Sequence, residues 1–191
     1  MPLARPVPYG FHSPHPWAAA LALAFFLAHP LPAEVTREYD LKAVCLYNFA
    51  TFVEWPESVR PPAGKPIIIG VLGRDPFGTM LDEVVAGENL KGNPLEVRRY
   101  RTPEAAQEAH ILYISASEAW RLPQILRLMR GKPVLTVADI PRSADAGAII
   151  SFSTGARVQL HVNPAAAQQA GLTISSKLMR VATVVGQGAP P

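Results

Sequence analysis

Ile67-Ile-Ile-Gly-Val-Leu-Gly-Arg-Asp-Pro-Phe-Gly78 decides the fold. Its first six residues are a continuous apolar run rich in β-branched side chains, which fits a strand buried on both faces. Asp75-Pro76 follows, a helix-capping residue with proline at the first helical position. The stretch therefore predicts strand, glycine turn and a helix running to about Ala86, stopped by Gly87. Downstream, Leu95 to Tyr100 alternates as a half-exposed strand does. Thr102-Pro103 opens a short helix to about Ala109, and His110 to Ile114 is a second buried strand. Ser115 and Glu118 have capping-box spacing, with Ser117 an alternative cap. The helix they introduce carries Leu122, Ile125, Leu126 and Met129 and ends at Gly131. Pro133 to Val137 is a third buried strand. Gly147 to Phe152 and Arg157 to Val162 flank Ser153-Thr-Gly-Ala156 as a hairpin. Asn163-Pro164 starts a helix ended by Gly171, and Ser175 starts a last one through about Val184.

Upstream, Glu34 to Trp55 reads as a helix terminated by Pro56. Leu41, Cys45, Asn48, Phe49, Phe52 and Val53 recur on it at three- and four-residue spacing, as a core-facing stripe does. Trp55, beside Phe52 and Val53, is expected to anchor structure. Strands alternating with helices give the fold class: α/β, a mostly parallel sheet with helices on both faces and a late antiparallel hairpin.

The front of the chain reads as a secretory signal. Arg5 precedes the apolar run Trp17-Ala-Ala-Ala-Leu-Ala-Leu-Ala-Phe-Phe-Leu-Ala28, then Pro30, and Leu31-Pro32-Ala33 has the small-residue pattern of a cleavage site. That apolar run is too short for a membrane span, which needs about 20 residues. The expected organisation is a cleaved leader over 1–33, a single domain over 34–185 and a disordered tail over 186–191, in a periplasmic protein. The mature part is 158 residues (191 minus 33), enough for its own core. The leader holds one of the 18 Lys and Arg and none of the 15 Asp and Glu, so the mature charge is +2 (17 minus 15). With no basic run beside it, that charge argues against a nucleic-acid partner. Cys45 is the only cysteine, which excludes an intramolecular disulfide.

Chemistry-bearing patterns are sparse. The Gly70–Thr79 segment has the G-x4-G frame of a phosphate loop, but Thr79 stands where the lysine must be. Gly73, Asp75 and Gly78 therefore read as a structural turn. Three of the five histidines lie in the leader, and His110 and His161 fall in predicted strands without ligand spacing, so neither a metal nor a cofactor is expected. Asp139 and Asp145 flank Pro141 and read as loop residues. Arg98, Arg99 and Arg101 read as a solvated edge. Ser175, Ser176, Lys177 and Arg180 gather hydroxyls, amides and cations at one helix start, and they are the candidate anion or partner site.

Five stretches together resemble the YfiR/HmsC-like family: Leu41-Lys-Ala-Val-Cys-Leu-Tyr-Asn-Phe-Ala-Thr-Phe-Val-Glu-Trp-Pro56, Ile69 to Gly78, His110 to Ser117, Gly131 to Val137 and Gly171 to Leu178. They run in order from about residue 38 to 182. The resemblance implies an exported α/β domain, often dimeric and without enzymatic activity. Its best understood members bind the periplasmic region of an inner-membrane diguanylate cyclase and hold it inactive, lowering cyclic di-GMP and biofilm formation. The expected function is therefore that of a periplasmic regulator of a membrane signalling partner. The alternative is a periplasmic small-ligand-binding domain, its pocket at Gly171–Arg180 or Gly73–Gly78. Some members carry a cysteine pair, which this chain lacks. Mass spectrometry of the periplasmic form should place its N-terminus near Glu34; recovery of intact Met1 protein from the cytoplasm would overturn export.

Overall fold

A computed structural model of the chain describes residues 33–155 and 157–186. The expected leader, apart from Ala33, and the expected tail, apart from Gly186, lie outside the described residues. Helix α1 (Ala33–Phe52) leads into the two-residue strand β1 (Val53–Glu54). Then come β2 (Ile67–Leu72), α2 (Met80–Val85), β3 (Asn89–Leu90), β4 (Asn93–Tyr100) and β5 (Ile111–Ile114). They are followed by α3 (Leu122–Met129), β6 (Leu135–Ala138), β7 (Ile150–Thr154) and β8 (Val158–Val162). The last elements are α4 (Pro164–Gln169), β9 (Thr173–Ile174), α5 (Ser176–Val181) and β10 (Thr183–Val184).

Eight strands form one sheet in the order β10-β8-β7-β6-β5-β2-β4-β3. Its centre, from β7 through β4, is parallel. The expected hairpin is the antiparallel pair β7–β8. The fold is therefore the α/β class read from the sequence. Alternation along the buried strands sorts the core into two layers. Ile69, Val71, Ile111, Tyr113, Leu135 and Val137 pack with α1, α2 and α5. Ile68, Leu72, Leu112 and Ile114 pack with Leu122, Ile125, Leu126 and Met129 of α3. Successive strand residues point to opposite faces, so apolar residues at every position need cover on both sides.

Several expected boundaries move. The helix expected from Asp75 begins at Met80. Asp75 Oδ1 instead accepts the Phe77 amide at 2.7 Å in a tight turn, and Oδ2 accepts Arg99 Nε at 2.8 Å. Gly78, at φ +57°, breaks helical continuity before Met80. The helix expected after Thr102-Pro103 is one 3-10 turn, Ala105–Glu108. The last helix stops at Val181, because Thr183 and Val184 turn extended and pair in parallel with His161 and Val162.

The stripe on α1 is also corrected. Lys42, Ala43, Leu46, Phe49, Ala50 and Val53 are buried, whereas Leu41 and Val44 are exposed and Cys45 and Asn48 are half-buried. The inward face lies one residue, about 100° of rotation, from the expected one. Lys42 is the cause: a buried lysine stands where pattern reading assigns solvent.

Gly70 lies at the centre of the sheet, between Arg98 of β4 and Leu112 of β5. A Cβ there would stand 2.7 Å from the Tyr100 ring and 2.9 Å from Ala109 Cβ. Gly70→Ala overpacks this layer and should cost about 1–3 kcal/mol, read as a lower urea midpoint with unchanged slope.

Candidate functional site at the carboxyl ends of the strands

From β2 the chain builds outward to β4 on one side, and then places β5 on the other. The strand order reverses between β2 and β5, and at such a point open α/β sheets place ligands beyond the carboxyl ends of the strands. Here that crevice is filled from within. Lys42 of α1, 1 % exposed, donates to Asp139 Oδ1 at 2.7 Å just past β6, to Thr154 Oγ1 at 3.4 Å and to Glu38 one turn earlier. Its ammonium lies 4.6 Å from the Tyr39 ring centre and 5.5 Å from that of Phe152. Tyr113 of β5 donates to Asp139 Oδ2 at 2.8 Å. Phe77 closes the crevice, edge-on to Tyr113 at 4.7 Å and to Tyr39 at 5.9 Å. Burial, and then the Asp139 charge, pushes the Tyr39 phenol up to about 12 and raises that of Tyr113 as well. Both phenols stay protonated at neutral pH and serve as hydrogen-bond donors or packing groups.

Beside this cluster the loops after β2, β4 and β5 meet. Gly73, at φ +94°, lies so close to the β5 loop that a Cβ would stand 2.7 Å from Glu118 Cγ. Ser117 Oγ accepts the Arg74 amide at 2.9 Å. Buried Glu118 pairs with Arg121, whose Nη2 donates to the Arg101 carbonyl at 3.4 Å. Trp120 is 77 % exposed, and the Arg121 guanidinium is 5.2 Å from its ring centre. Arg98 and Arg99 were expected to be merely solvated. Arg99 instead clamps Asp75, Asp82 (2.7 Å) and the Gly78 carbonyl (2.9 Å), and Arg98 binds Glu96 at 2.6 Å and Glu108 at 3.3 Å. The Arg99 hydrogen bond holds the Asp82 carboxyl below its usual range.

The other expected site residues lie elsewhere. Ser175 is partly committed: its amide donates to the Phe52 carbonyl at 2.8 Å and its hydroxyl accepts the Lys177 amide at 3.2 Å. The α5 helix it caps has six residues, with Ser176, Lys177 and Arg180 exposed beside exposed Val181. Trp55, half-buried, donates from Nε1 to the Pro133 carbonyl at 3.0 Å and meets His110 edge-on at 6.5 Å. His110 Nδ1 accepts the Ile68 amide at 3.1 Å, and His161 Nε2 lies 2.9 Å from Ser153 Oγ. Asp139 belongs to the Lys42 cluster, whereas Asp145 pairs with Arg142 at 3.4 Å. Among the described residues no three His, Cys, Asp or Glu side chains are grouped to hold a metal, and no helix is long and apolar enough to cross a membrane. An open cleft of about 510 Å³ lies at the opposite end of the sheet, between α3 and α4, with Met129, Arg130, Asp145, Ile149 and Gln169 in its wall. Neither pocket expected from the sequence coincides with it.

Sequence reasoning missed Lys42 and Trp120. Lys42 carries no signal, since a lysine on a helix is ordinarily solvated. Trp120 does carry one: it stands outside the Leu122-Ile125-Leu126-Met129 stripe, where a core aromatic would not be.

Lys42→Ala leaves Asp139, only 10 % exposed, without its counter-charge, so it should cost about 3–5 kcal/mol. Adding Asp139→Asn should recover part of that loss in a urea double-mutant cycle; purely additive effects would show that the two groups do not interact. Burial, reinforced by the nearby Arg98 charge, lowers the His110 pKa from 6.5. Its folded pKa is thus below its unfolded value, so its contribution is complete above pH 6.5 and is lost as pH falls toward the folded pKa. His110→Asn keeps an acceptor and should flatten the stability-versus-pH curve below pH 6.5; an unchanged curve would exclude His110 as the titrating group.

Two solved structures share part of this fold at low sequence identity. A conserved domain protein of Vibrio cholerae O1 biovar El Tor has 15 % identity and a TM-score of 0.46, over 62 % of this chain and 54 % of that one. The ABC domain in complex with L-Trp from Streptococcus pneumoniae has 12 % identity and a TM-score of 0.46, over 62 % and 55 %. The aligned region thus spans little more than half of each. No curated protein matches. Residues 39–183, which include every strand of the large sheet except Val184 of β10, match the YfiR/HmsC-like family model, and the chain belongs to that family of periplasmic regulators.

Proposed function

We propose that the chain is an exported, non-enzymatic regulator that binds the periplasmic region of an inner-membrane diguanylate cyclase, holds it inactive and so lowers cyclic di-GMP and biofilm formation. The family match over 39–183 carries this proposal. Support comes from the crevice between β2 and β5, where a small-molecule α/β enzyme keeps its substrate: here Tyr39, Lys42, Phe77 and Tyr113 pack against one another. A chain that fills its crevice presents surface to other molecules. The exposed Ser176, Lys177, Arg180 and Val181 of α5 form a mixed apolar and cationic patch suited to a partner carboxylate.

A second function, small-ligand binding, is favoured by the 510 Å³ cleft, which falls within the 300–1,000 Å³ typical of ligand sites. Affinity capture from native envelopes separates the two. Regulation requires recovery of a membrane protein with a cytoplasmic cyclase domain, and elevated cyclic di-GMP in cells lacking this chain. A deletion strain with unchanged cyclic di-GMP would overturn it. The Ser176→Ala, Arg180→Ala variant should fold normally, since exposed polar changes usually cost under about 0.5 kcal/mol. It should repress less than the wild type; equal repression would remove α5 from the contact.

A further inference from the structure

Trp120 is the most exposed large apolar side chain among the described residues, at 77 %. It is not isolated. The loops after β2, β4 and β5 meet beside it: the Arg74 backbone amide is bound by Ser117, three residues before Trp120, Arg121 reaches the Arg101 backbone carbonyl, and the Arg121 guanidinium lies 5.2 Å from the indole centre. Charge divides unevenly there. Arg121 is paired with Glu118, and Arg99 with Asp75 and Asp82. Arg74 and Arg101 are exposed and form no ion pair among the described residues, and Glu104 is the single carboxylate of these three loops in the same position.

The framework is rigid where the ligand would press. Gly73 has no room for a Cβ against Glu118, and the Glu118–Arg121 pair is largely buried. The stem of the surface is thus held in place, while the indole and the two arginines without an ion pair among the described residues are exposed on the same loops. Trp and Arg are the side chains that most often dominate protein–protein binding energy. With Trp120 77 % open to solvent, a small molecule stacked on it would stay largely uncovered. The mature charge of +2 speaks against nucleic acid.

We propose that Trp120, with Arg74 and Arg101, is a docking surface for an acidic segment of a protein partner, one apolar side chain of which covers the indole. This builds on the partner-binding role proposed above and names a surface for it, distinct in sequence from α5.

Random dodecapeptides displayed on phage and selected against the folded mature chain test this surface. Enrichment of peptides with excess Asp and Glu around an aliphatic or aromatic residue is expected. Their affinity should fall at least tenfold in Trp120→Ala and in Arg74→Glu, Arg101→Glu, and should weaken as NaCl rises from about 50 to 500 mM. Circular dichroism checks that both variants fold, and Arg157→Glu, an exposed charge change outside these loops, should bind as wild type does. No enrichment, enrichment without an acidic excess, or affinities within twofold of wild type in both variants overturns the docking surface. Adenosine 5′-monophosphate that binds more tightly than the selected peptides, and loses binding in Trp120→Ala, overturns it in favour of a nucleotide. Envelope capture keeps the two proposals apart. A membrane partner recovered equally by wild type and both variants leaves the regulatory role standing and removes this surface. Selected peptides that need Trp120, with no membrane partner recovered, leave the surface standing and remove the role.

Discussion

The ammonium of Lys42 is the constraint on which the rest of the described structure depends. Taking a charge out of water costs several kcal/mol unless partners replace the solvent. Glu38, Asp139 and Thr154 are those partners, and they come from α1, the end of β6 and the end of β7. Because each must be within hydrogen-bond reach, α1 has one rotation and one height on the sheet. Leu46 and Phe49 then face inward, with Phe49 stacked on Phe152 at 6.2 Å between ring centres. The same rotation leaves Leu41 and Val44 outside.

That placement has a functional consequence. In an α/β sheet the carboxyl ends near the change of strand order are the natural ligand site. Lys42 and its carboxylates, with Tyr39, Phe77 and Tyr113, occupy it. The loops around the filled crevice, held by Gly73, Ser117 and Glu118, therefore present an outer surface. Regulation by contact, the role proposed for the chain, needs such a surface more than it needs a cavity.

Much of the scaffold was legible in the sequence. Ile67–Leu72 and His110–Ile114 are apolar at nearly every position, a pattern that strands keep only when both faces are covered. Asn163-Pro164 also read correctly, since Asn163 Oδ1 accepts the Ala166 amide at 2.9 Å as a cap must. Asp75-Pro76 has the same local grammar and failed. Its carboxylate is held by Arg99, twenty-four residues away, and the helix waits until Met80. The carboxylate still accepts the Phe77 amide, but Gly78 at φ +57° breaks the turn before a helix forms, while Arg99 of β4 holds the second carboxylate oxygen.

The candidate surfaces were less legible. Ser175, Ser176, Lys177 and Arg180 looked concentrated because they are adjacent in the chain, but the Ser175 amide is bonded to the Phe52 carbonyl of α1. Trp120, Arg74 and Arg101 are far apart in sequence, and only the parallel arrangement of β2, β4 and β5 brings their loops to one end. By itself the sequence determined the α/β class, the order of most elements and the buried strands, because periodicity and capping act over a few residues. Tertiary structure alone decided the rotation of α1, the filling of the crevice and which arginines remain unpaired. Those depend on charges meeting across the fold, and spacing along a chain does not encode such distances.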